Sequence, residues 1–264
     1  MMANHHGDWI WYELMTPDAR AATAFYAPML GWTVRDDPDY AEITASDGMV
    51  GGMLQLTPAM TEGGARPGWV GYVAVDNVDS MVGSITAGGG RLLMPARDMP
   101  GVGRFAMVAD PHGAPFYVMT PTGEGEASAF SYDRPRLGHC AWNELMTPDA
   151  PAALHFYGQR FGWVADGGMD MPGIGRYDFL RHTGRGAEGA PHAMLGAMMP
   201  LMPGVPHAVW SFYFRVADID AAVVHIQDHG GTLMQPPIEI PGGEYSLNAA
   251  DPQGAHFGLV GPRL

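Results

Sequence analysis

The residues best suited to chemistry in this sequence include two glutamates that stand at the same place in a repeated segment. Glu13 and Glu144 each begin a copy of ELMTPDA, and the two copies lie 131 positions apart. Arg215 and His256 have no such repetition. A carboxylate or an imidazole can move a proton, and a guanidinium can hold an oxyanion. These side chains therefore predict acid–base chemistry on a carbonyl compound, with Glu144 or His256 moving the proton and Arg215 holding the oxyanion.

Other catalytic arrangements find little support in the sequence. There is no GxSxG elbow, and the single cysteine, Cys140, has no obvious catalytic partner. His225 and His229 stand at helical spacing, which can bind a metal, but they lack the glutamate of a zinc-protease motif. The DHGG that surrounds His229 indicates a helix end, so we assign both histidines to a solvated face.

The repeated segment belongs to a much longer duplication. The motifs FY and GW follow both copies at the same offset, whereas DPxGA recurs 141 positions later, so the second half has gained ten residues. We place this gain within Gly167–Pro191, a glycine-rich stretch that is typical of a surface loop. The duplication predicts two homologous domains, 8–122 and 136–262, joined by a linker at 123–135.

Each half also divides into two parts that have the same order of elements. WIWYEL (Trp9–Leu14) is typical of a strand, TPDAR of a helix start with Thr16 as N-cap, and three further strand-like segments follow. GWVGYVAV, the helix start at Asn77 and three more strand-like segments repeat that order. The sequence therefore predicts an α+β fold of four βαβββ modules.

Three of these motifs carry a resemblance to a known family. FYAPMLGW at a helix end, VDNVD at a helix start and the closing DPHGAPFYV resemble the vicinal oxygen chelate superfamily, which includes glyoxalase I, bleomycin-resistance proteins and extradiol dioxygenases. The resemblance covers nearly the whole chain and is greatest for the tandem two-domain, glyoxalase-like branch. It implies two homologous domains of eight strands each, with a cleft in each domain. These are scaffold motifs and do not identify a reaction.

In that superfamily, four inward side chains of a domain commonly chelate a divalent metal and leave room for two substrate oxygens. Carried onto this chain, those places hold poor ligands: Trp11, near Met53, Val70 and Tyr117 in the first half, and Trp142, near Met198, Ser211 and Gly258 in the second. This chain therefore departs from the superfamily's ligand pattern in both domains, and no cofactor is expected. A divalent metal on Glu144 and His256 is the minor alternative, which a nearby Arg215 would oppose.

Side chains two places along a strand face the same cleft, which extends the candidate site. The expected catalytic residues all lie in the second half: Glu144, His256, Arg215 and Tyr213. The expected ligand contacts come from both halves: Trp142, Ser211, Trp11, Glu13, Tyr72 and Tyr117. Each has a plainer alternative. The aromatic residues can fill a small barrel, and the recurring glutamates can share a structural role, such as accepting backbone N–H groups.

The polar residues are distributed unequally, and this asymmetry predicts where function lies. Ser211, Arg215 and His256 stand where the first half has Val70, Ala74 and Pro115. We therefore expect the second half to carry the chemistry or the polar end of ligand recognition. The segment Gly167–Pro191 is expected to cover that cleft and to supply Arg176 or His182.

Composition narrows the classes of partner. Acidic residues outnumber basic ones 28 to 14, which argues against nucleic acid. No run of 18 apolar residues occurs, no signal peptide is evident, and one cysteine fits a reducing interior, so a cytoplasmic protein without a membrane partner is expected. The expected ligand is a small, mostly apolar carbonyl-type molecule, and a homodimer is left open.

Three functions remain open from the sequence. The first is a lyase or isomerase of the glyoxalase-like group that works without a metal. The second is a non-catalytic protein that sequesters a ligand, as bleomycin-resistance proteins do. The third is a metal-dependent glyoxalase or extradiol dioxygenase, which would need ligands that the sequence does not place.

Overall fold

The computed structural model describes residues 4–35, 37, 40–123, 125–132, 135–190 and 193–264. The first half contains β1 (Trp9–Thr16), α1 (Ala19–Leu30), β2 (Thr33–Arg35), β3 (Tyr40–Ala45), β4 (Gly48–Gln55), α2 (Pro58–Glu62), β5 (Gly68–Ala74), α3 (Val78–Ala87), β6 (Arg91–Met99), β7 (Gly103–Ala109) and β8 (Pro115–Pro121).

The second half contains β9 (Cys140–Thr147), α4 (Ala150–Phe161), β10 (Trp163–Met171), β11 (Gly175–His182), a 3-10 turn (Thr183–Arg185), β12 (Met194–Pro200), β13 (Val209–Arg215), α5 (Ile219–Asp228), β14 (Thr232–Ile240), β15 (Glu244–Ala250) and β16 (His256–Gly261). Its order matches that of the first half except for the 3-10 turn and for the short helix α2 of the first half, which the sequence did not predict. Of the expected linker at 123–135, residues 124, 133 and 134 lie outside the described ranges.

Each half forms one sheet of eight strands. The orders are β2-β3-β4-β1-β5-β8-β7-β6 and β10-β11-β12-β9-β13-β16-β15-β14. In the first sheet, β1 runs parallel to β4 and antiparallel to β5, and β5 runs parallel to β8. The predicted α+β fold of four βαβββ modules in two similar domains is confirmed. The four central strands of each sheet carry most of the candidate site residues.

The repeated ELMTPDA segment is the end of a strand followed by a helix cap. Asp18 is the N-cap of α1, and its carboxylate accepts a hydrogen bond from the backbone N–H of Ala21. Asp149 caps α4 in the same way. Both helices end at a glycine in the left-handed region, where the absence of a Cβ removes strain. The prediction of Thr16 as N-cap is wrong, because Thr16 is the last residue of β1.

The FY motif joins the two halves through a buried polar contact. The Tyr26 hydroxyl donates to Asp251 in the second half and accepts a hydrogen bond from the indole N–H of Trp69. Tyr157, Asp110 and Trp210 repeat this arrangement in the opposite direction. Each closing DPxG turn therefore supplies a carboxylate to the first helix of the other half, which explains the recurrence of these scaffold residues.

We expect Tyr157→Phe to lower the free energy of unfolding by about 2 kcal/mol, because Oδ2 of the buried Asp110 and the buried indole N–H of Trp210 both lose the Tyr157 hydroxyl. Urea titration measures this change. Tyr245→Phe is the control, since the Tyr245 ring packs beneath Arg263 within the second half. Equal stability of the two variants would show that the contact between the halves contributes little.

The segment Gly167–Pro191 is not the loop that the sequence predicted. Within its described part, up to residue 190, it lengthens the hairpin of β10 and β11 and then forms the 3-10 turn; Pro191 itself lies outside the described ranges. Arg176 is exposed and pairs with Asp178, and the buried His182 contacts the backbone oxygen of His6. The expectation that these two side chains enter the cleft is therefore wrong.

Arg185, in the same segment, binds parts of the chain that are distant in sequence. Its guanidinium donates to the buried carboxylate of Asp8 at 2.7 Å and also to Glu126, and it lies 3.8 Å from the centre of the Tyr132 ring. The additional residues of the second half thus hold the N-terminal segment and residues 126–132 in place.

Within the described residues, no helix is both long enough and apolar enough to span a membrane.

Candidate functional site

Glu13 lies on the face of the first sheet that points away from the main core. This face, which we call the first cleft, carries its own apolar cluster: Ile10, Val70, Tyr72, Ala74, Phe105, Tyr117 and Met119. Glu13 is only 4% exposed, and its Oε2 accepts a hydrogen bond from the Tyr72 hydroxyl at 3.0 Å. The rings of Tyr72 and Tyr117 stack with their centres 4.2 Å apart. The first cleft therefore surrounds a carboxyl group with aromatic walls.

The two carboxyl oxygens of Glu13 differ in their hydrogen bonding. Its Oε1 is buried and has no hydrogen-bond partner among the described residues. Burial raises the pKa of Glu13 to about 7, against the lowering effects of the hydroxyls of Tyr72, Tyr40 and Tyr117. An unpaired oxygen on a group that titrates near neutral pH can accept a proton from a ligand.

Tyr40 is oriented by a second aromatic residue. The indole N–H of Trp11 donates to the Tyr40 hydroxyl oxygen at 2.7 Å. That hydroxyl lies close to Glu13 and helps to lower the pKa of its carboxyl group. Tyr40 was not predicted as a site residue, although a signal existed, since a tyrosine begins the matching strand segment in both halves, YAE and YDF.

Arg97 is exposed beside the same aromatic cluster and was also missed. It pairs with Phe105 across β6 and β7, and its guanidinium lies 5.0 Å from the centre of the Phe105 ring. Its positive charge lowers the pKa of Glu13, though burial outweighs this effect. The first cleft therefore combines a buried acid, three phenols and an exposed cation.

The second sheet repeats the aromatic network but leaves no free oxygen. Glu144 accepts hydrogen bonds from the hydroxyls of Tyr177 at 2.7 Å and Tyr213 at 3.0 Å, one on each carboxyl oxygen. Trp142 donates to the Tyr177 hydroxyl at 2.8 Å, as Trp11 does to Tyr40. Burial raises the pKa of Glu144 as well. In both halves the glutamate thus accepts hydrogen bonds from tyrosine hydroxyls. The sequence had suggested a structural role in which it accepts them from backbone N–H groups.

The polar residues predicted for the second half do not come together. Arg215 lies beside Val260, four residues from His256 along β16, a separation of about 13 Å at the usual rise of a strand. The Arg215 guanidinium donates hydrogen bonds to both carboxyl oxygens of Glu244. His256 is exposed. The expectation that His256 adjoins Arg215 is therefore wrong.

Two other candidates of the second half line its cleft. Ser211 is half-buried and pairs with Glu144 across β9 and β13. A Cβ on Gly258 would lie 2.3 Å from the Tyr213 ring, so the glycine allows Tyr213 to reach Glu144. These residues shape the second cleft.

The residues at the superfamily's metal positions do not fit a divalent metal. Trp11, Val70 and Tyr117 offer no strong ligand, and Ser211 and Gly258 improve little on them. Met53 and Met198 belong to the main core, so neither faces a cleft. Within the described ranges, no three His, Cys, Asp or Glu side chains lie close enough together to hold a metal ion.

Comparison with known proteins agrees with this architecture. A family model for the Glyoxalase/Bleomycin resistance protein/Dioxygenase superfamily matches residues 9–118 and 136–259. The chain belongs to this superfamily. The resemblance inferred from the FY, VDNVD and DPHG motifs is thereby confirmed, although membership in the glyoxalase superfamily does not specify a reaction.

Relatives of this glyoxalase-superfamily protein match along nearly their whole length. "Putative glyoxylase CFP32" of Mycobacterium tuberculosis is 33% identical, covering 96% of this chain and 94% of its own. "Anthracycline biosynthesis protein DnrV" of Streptomyces peucetius is 30% identical, covering 95% and 91%.

Solved structures show the same fold at low identity. The Mn(II)-bound glyoxalase from Novosphingobium aromaticivorans superposes with a TM-score of 0.64 at 17% identity, covering 97% of this chain and 82% of that one. Homoprotocatechuate 2,3-dioxygenase from Arthrobacter globiformis gives 0.64 at 15% identity, covering 99% and 81%. This glyoxalase-superfamily protein shares their fold.

Proposed function

We propose that the first cleft binds a small, largely apolar carbonyl compound and that Glu13 removes a proton from the carbon next to the carbonyl group. The observation that carries this proposal is a buried carboxyl group with a pKa of about 7, whose Oε1 has no hydrogen-bond partner in the part of the chain that the structure describes. A general base works best when its pKa lies near the working pH. The reaction would be an isomerisation or an elimination that passes through an enolate.

The surrounding phenols would stabilise the enolate oxygen. Burial raises the pKa of Tyr40, Tyr72 and Tyr117, so each hydroxyl keeps its proton and remains a donor. Tyr72 donates a hydrogen bond to Glu13, and the Tyr117 hydroxyl also acts on the Glu13 carboxyl group, so a ligand oxygen that accepts from Tyr117 would take over that hydroxyl. Fixed donors that face a developing negative charge are a common source of rate enhancement.

The walls of the first cleft favour a flat, apolar ligand. Trp11, Tyr72, Tyr117 and Phe105 surround Glu13, and half-buried methionines at 15, 94 and 107 pack against the same cluster. Methionine side chains are flexible and can adapt to a ligand. A relative named for anthracycline biosynthesis supports an aromatic carbonyl ligand, since anthracyclines are ring compounds of that kind.

The geometry favours the first half over the second as the site of proton transfer. Both carboxyl oxygens of Glu144 accept hydrogen bonds from tyrosine hydroxyls. Arg215 is paired with Glu244, and His256 lies at the end of β16 that is far from Arg215. Reaction at Glu144 would first require a tyrosine to leave. No metal enters this proposal, because the residues at the metal positions are poor ligands.

Ligand sequestration without turnover is the second candidate. The observation that favours it is the recurrence of the same Trp–Tyr–Glu–Tyr network around Glu144, where no oxygen is free for chemistry. A network present in both halves fits a rigid aromatic wall as well as a catalytic one.

Hydrogen–deuterium exchange distinguishes the two functions. Enolisable aromatic ketones and 2-oxo acids are incubated with the protein in D₂O, and the signal of the C–H next to the carbonyl is followed by NMR. Proton transfer predicts exchange above the uncatalysed rate, increasing with pH through an apparent pKa near 7. Binding without exchange at any pH would support sequestration instead.

A further inference from the structure

Arg97 differs from most arginines of this protein in what it contacts. The sequence has 14 arginines, no lysine and 28 acidic residues, so carboxylate partners are abundant. Arg104, Arg181 and Arg215, for example, all pair with carboxylates. Within the described ranges, Arg97 forms no ion pair and instead lies over the ring of Phe105. Its N–H donors are therefore available to a ligand.

The position of Arg97 directs it toward the proposed reaction site. Phe105, which supports the guanidinium, lies 6.1 Å from the ring centre of Tyr72 and 6.0 Å from that of Tyr117. These two tyrosines flank the Glu13 carboxyl group. A guanidinium stacked on an aromatic ring is already oriented, and its planar fork matches the two oxygens of a carboxylate.

The second sheet shows that the fold does not require an arginine at this place. Ile238 pairs with Ser246 across β14 and β15, as Arg97 pairs with Phe105 across β6 and β7. Both positions are exposed, and the two strands have the same length. Of these two matching positions, only the one beside the first cleft carries a positive charge.

We propose that Arg97 recognises a carboxylate on the ligand of the first cleft, which makes aromatic 2-oxo acids the substrate class. This inference rests on the proposed function for the identity of the reacting carbonyl group, but the recognition itself does not depend on turnover. The aromatic ring of such a compound would pack against Tyr72 and Tyr117, and its carboxylate would face the exposed guanidinium of Arg97.

Two probe compounds test this assignment. Phenylpyruvate and phenylacetone both have an enolisable CH₂ between a ring and a carbonyl group, and only phenylpyruvate has a carboxylate. Isothermal titration of the whole protein should show phenylpyruvate binding about ten- to a hundredfold more tightly, the usual effect of a hydrogen-bonded charged group. Arg97→Ile, which installs the residue of the second half, should abolish this preference. Arg91→Ile, on the same strand, should retain it.

The outcomes separate recognition from chemistry. If the preference depends on Arg97 but no variant or wild-type protein exchanges deuterium, the carboxylate assignment holds and the proton-transfer proposal fails. If exchange occurs but the two probes bind equally, or if the preference survives in Arg97→Ile, the carboxylate assignment is overturned. Failure of phenylpyruvate to bind the wild-type protein would also overturn it.

Discussion

Glu13→Gln is expected to lower the rate of deuterium exchange at the carbon next to a carbonyl group by about 10²- to 10⁴-fold, the usual contribution of a general base. Glutamine keeps the size of the side chain and can still accept the hydrogen bond from Tyr72. It cannot take up a proton from the ligand near neutral pH. Exchange of phenylpyruvate in D₂O, followed by NMR, measures the effect, and binding of the same compound should change far less than the rate.

The duplication supplies a matched control for this substitution. Glu144→Gln makes the same change in a similar aromatic network, but there both carboxyl oxygens already accept hydrogen bonds from tyrosine hydroxyls. We expect this variant to retain the exchange rate. Loss of exchange in Glu144→Gln together with full activity of Glu13→Gln would move the site to the second half, where the sequence alone had placed it.

The fold could be predicted from the sequence because its signals are local and occur twice. The terminal glycines of α1 and α4 and the alternating strands each depend on a few neighbouring residues. The partner of each FY motif could not be predicted in this way. Tyr26 contacts Asp251, 225 positions away, and the repeat does not show which half provides the carboxylate.

The candidate site was predicted in part, and strand irregularities explain much of the remainder. Glu13, Tyr72 and Tyr117 lie on regular central strands, so alternation placed them on one face as expected. Register shifts occur along β6 between Leu92 and Arg97. Counting alternate residues fails across such shifts, which hid Arg97.

An ion pair that spans a neighbouring strand explains why Arg215 was wrongly expected in the site. Arg215 reaches over β16 to Glu244 on β15, and the sequence separates these two residues by 29 positions. Polar residues that seem available in the sequence can therefore already be paired in the fold. Glu13 is not paired in this way, since its buried Oε1 has no hydrogen-bond partner within the described ranges.

The stability of the protein is expected to decrease as pH rises from about 4.5 to about 7, because Glu13 keeps its proton in the folded state over this range and loses it in the unfolded state. The folded pKa of about 7 lies above the ordinary value of 4.5. The contribution is thus fully present below pH 4.5 and is lost as pH rises through the folded pKa. The difference corresponds to about 3 kcal/mol.

Comparison with Glu13→Gln isolates this contribution from other titrating groups. Burial also raises the pKa of Glu144 and lowers that of His182, but both groups are present in the two proteins and cancel in the difference. Unfolding free energies from urea titration at pH 5 and pH 8 should therefore fall further in the wild-type protein than in the variant. Parallel curves would mean that Glu13 is ionised in the folded protein at pH 5, and a carboxylate already ionised there would be too weak a base for the proposed proton transfer.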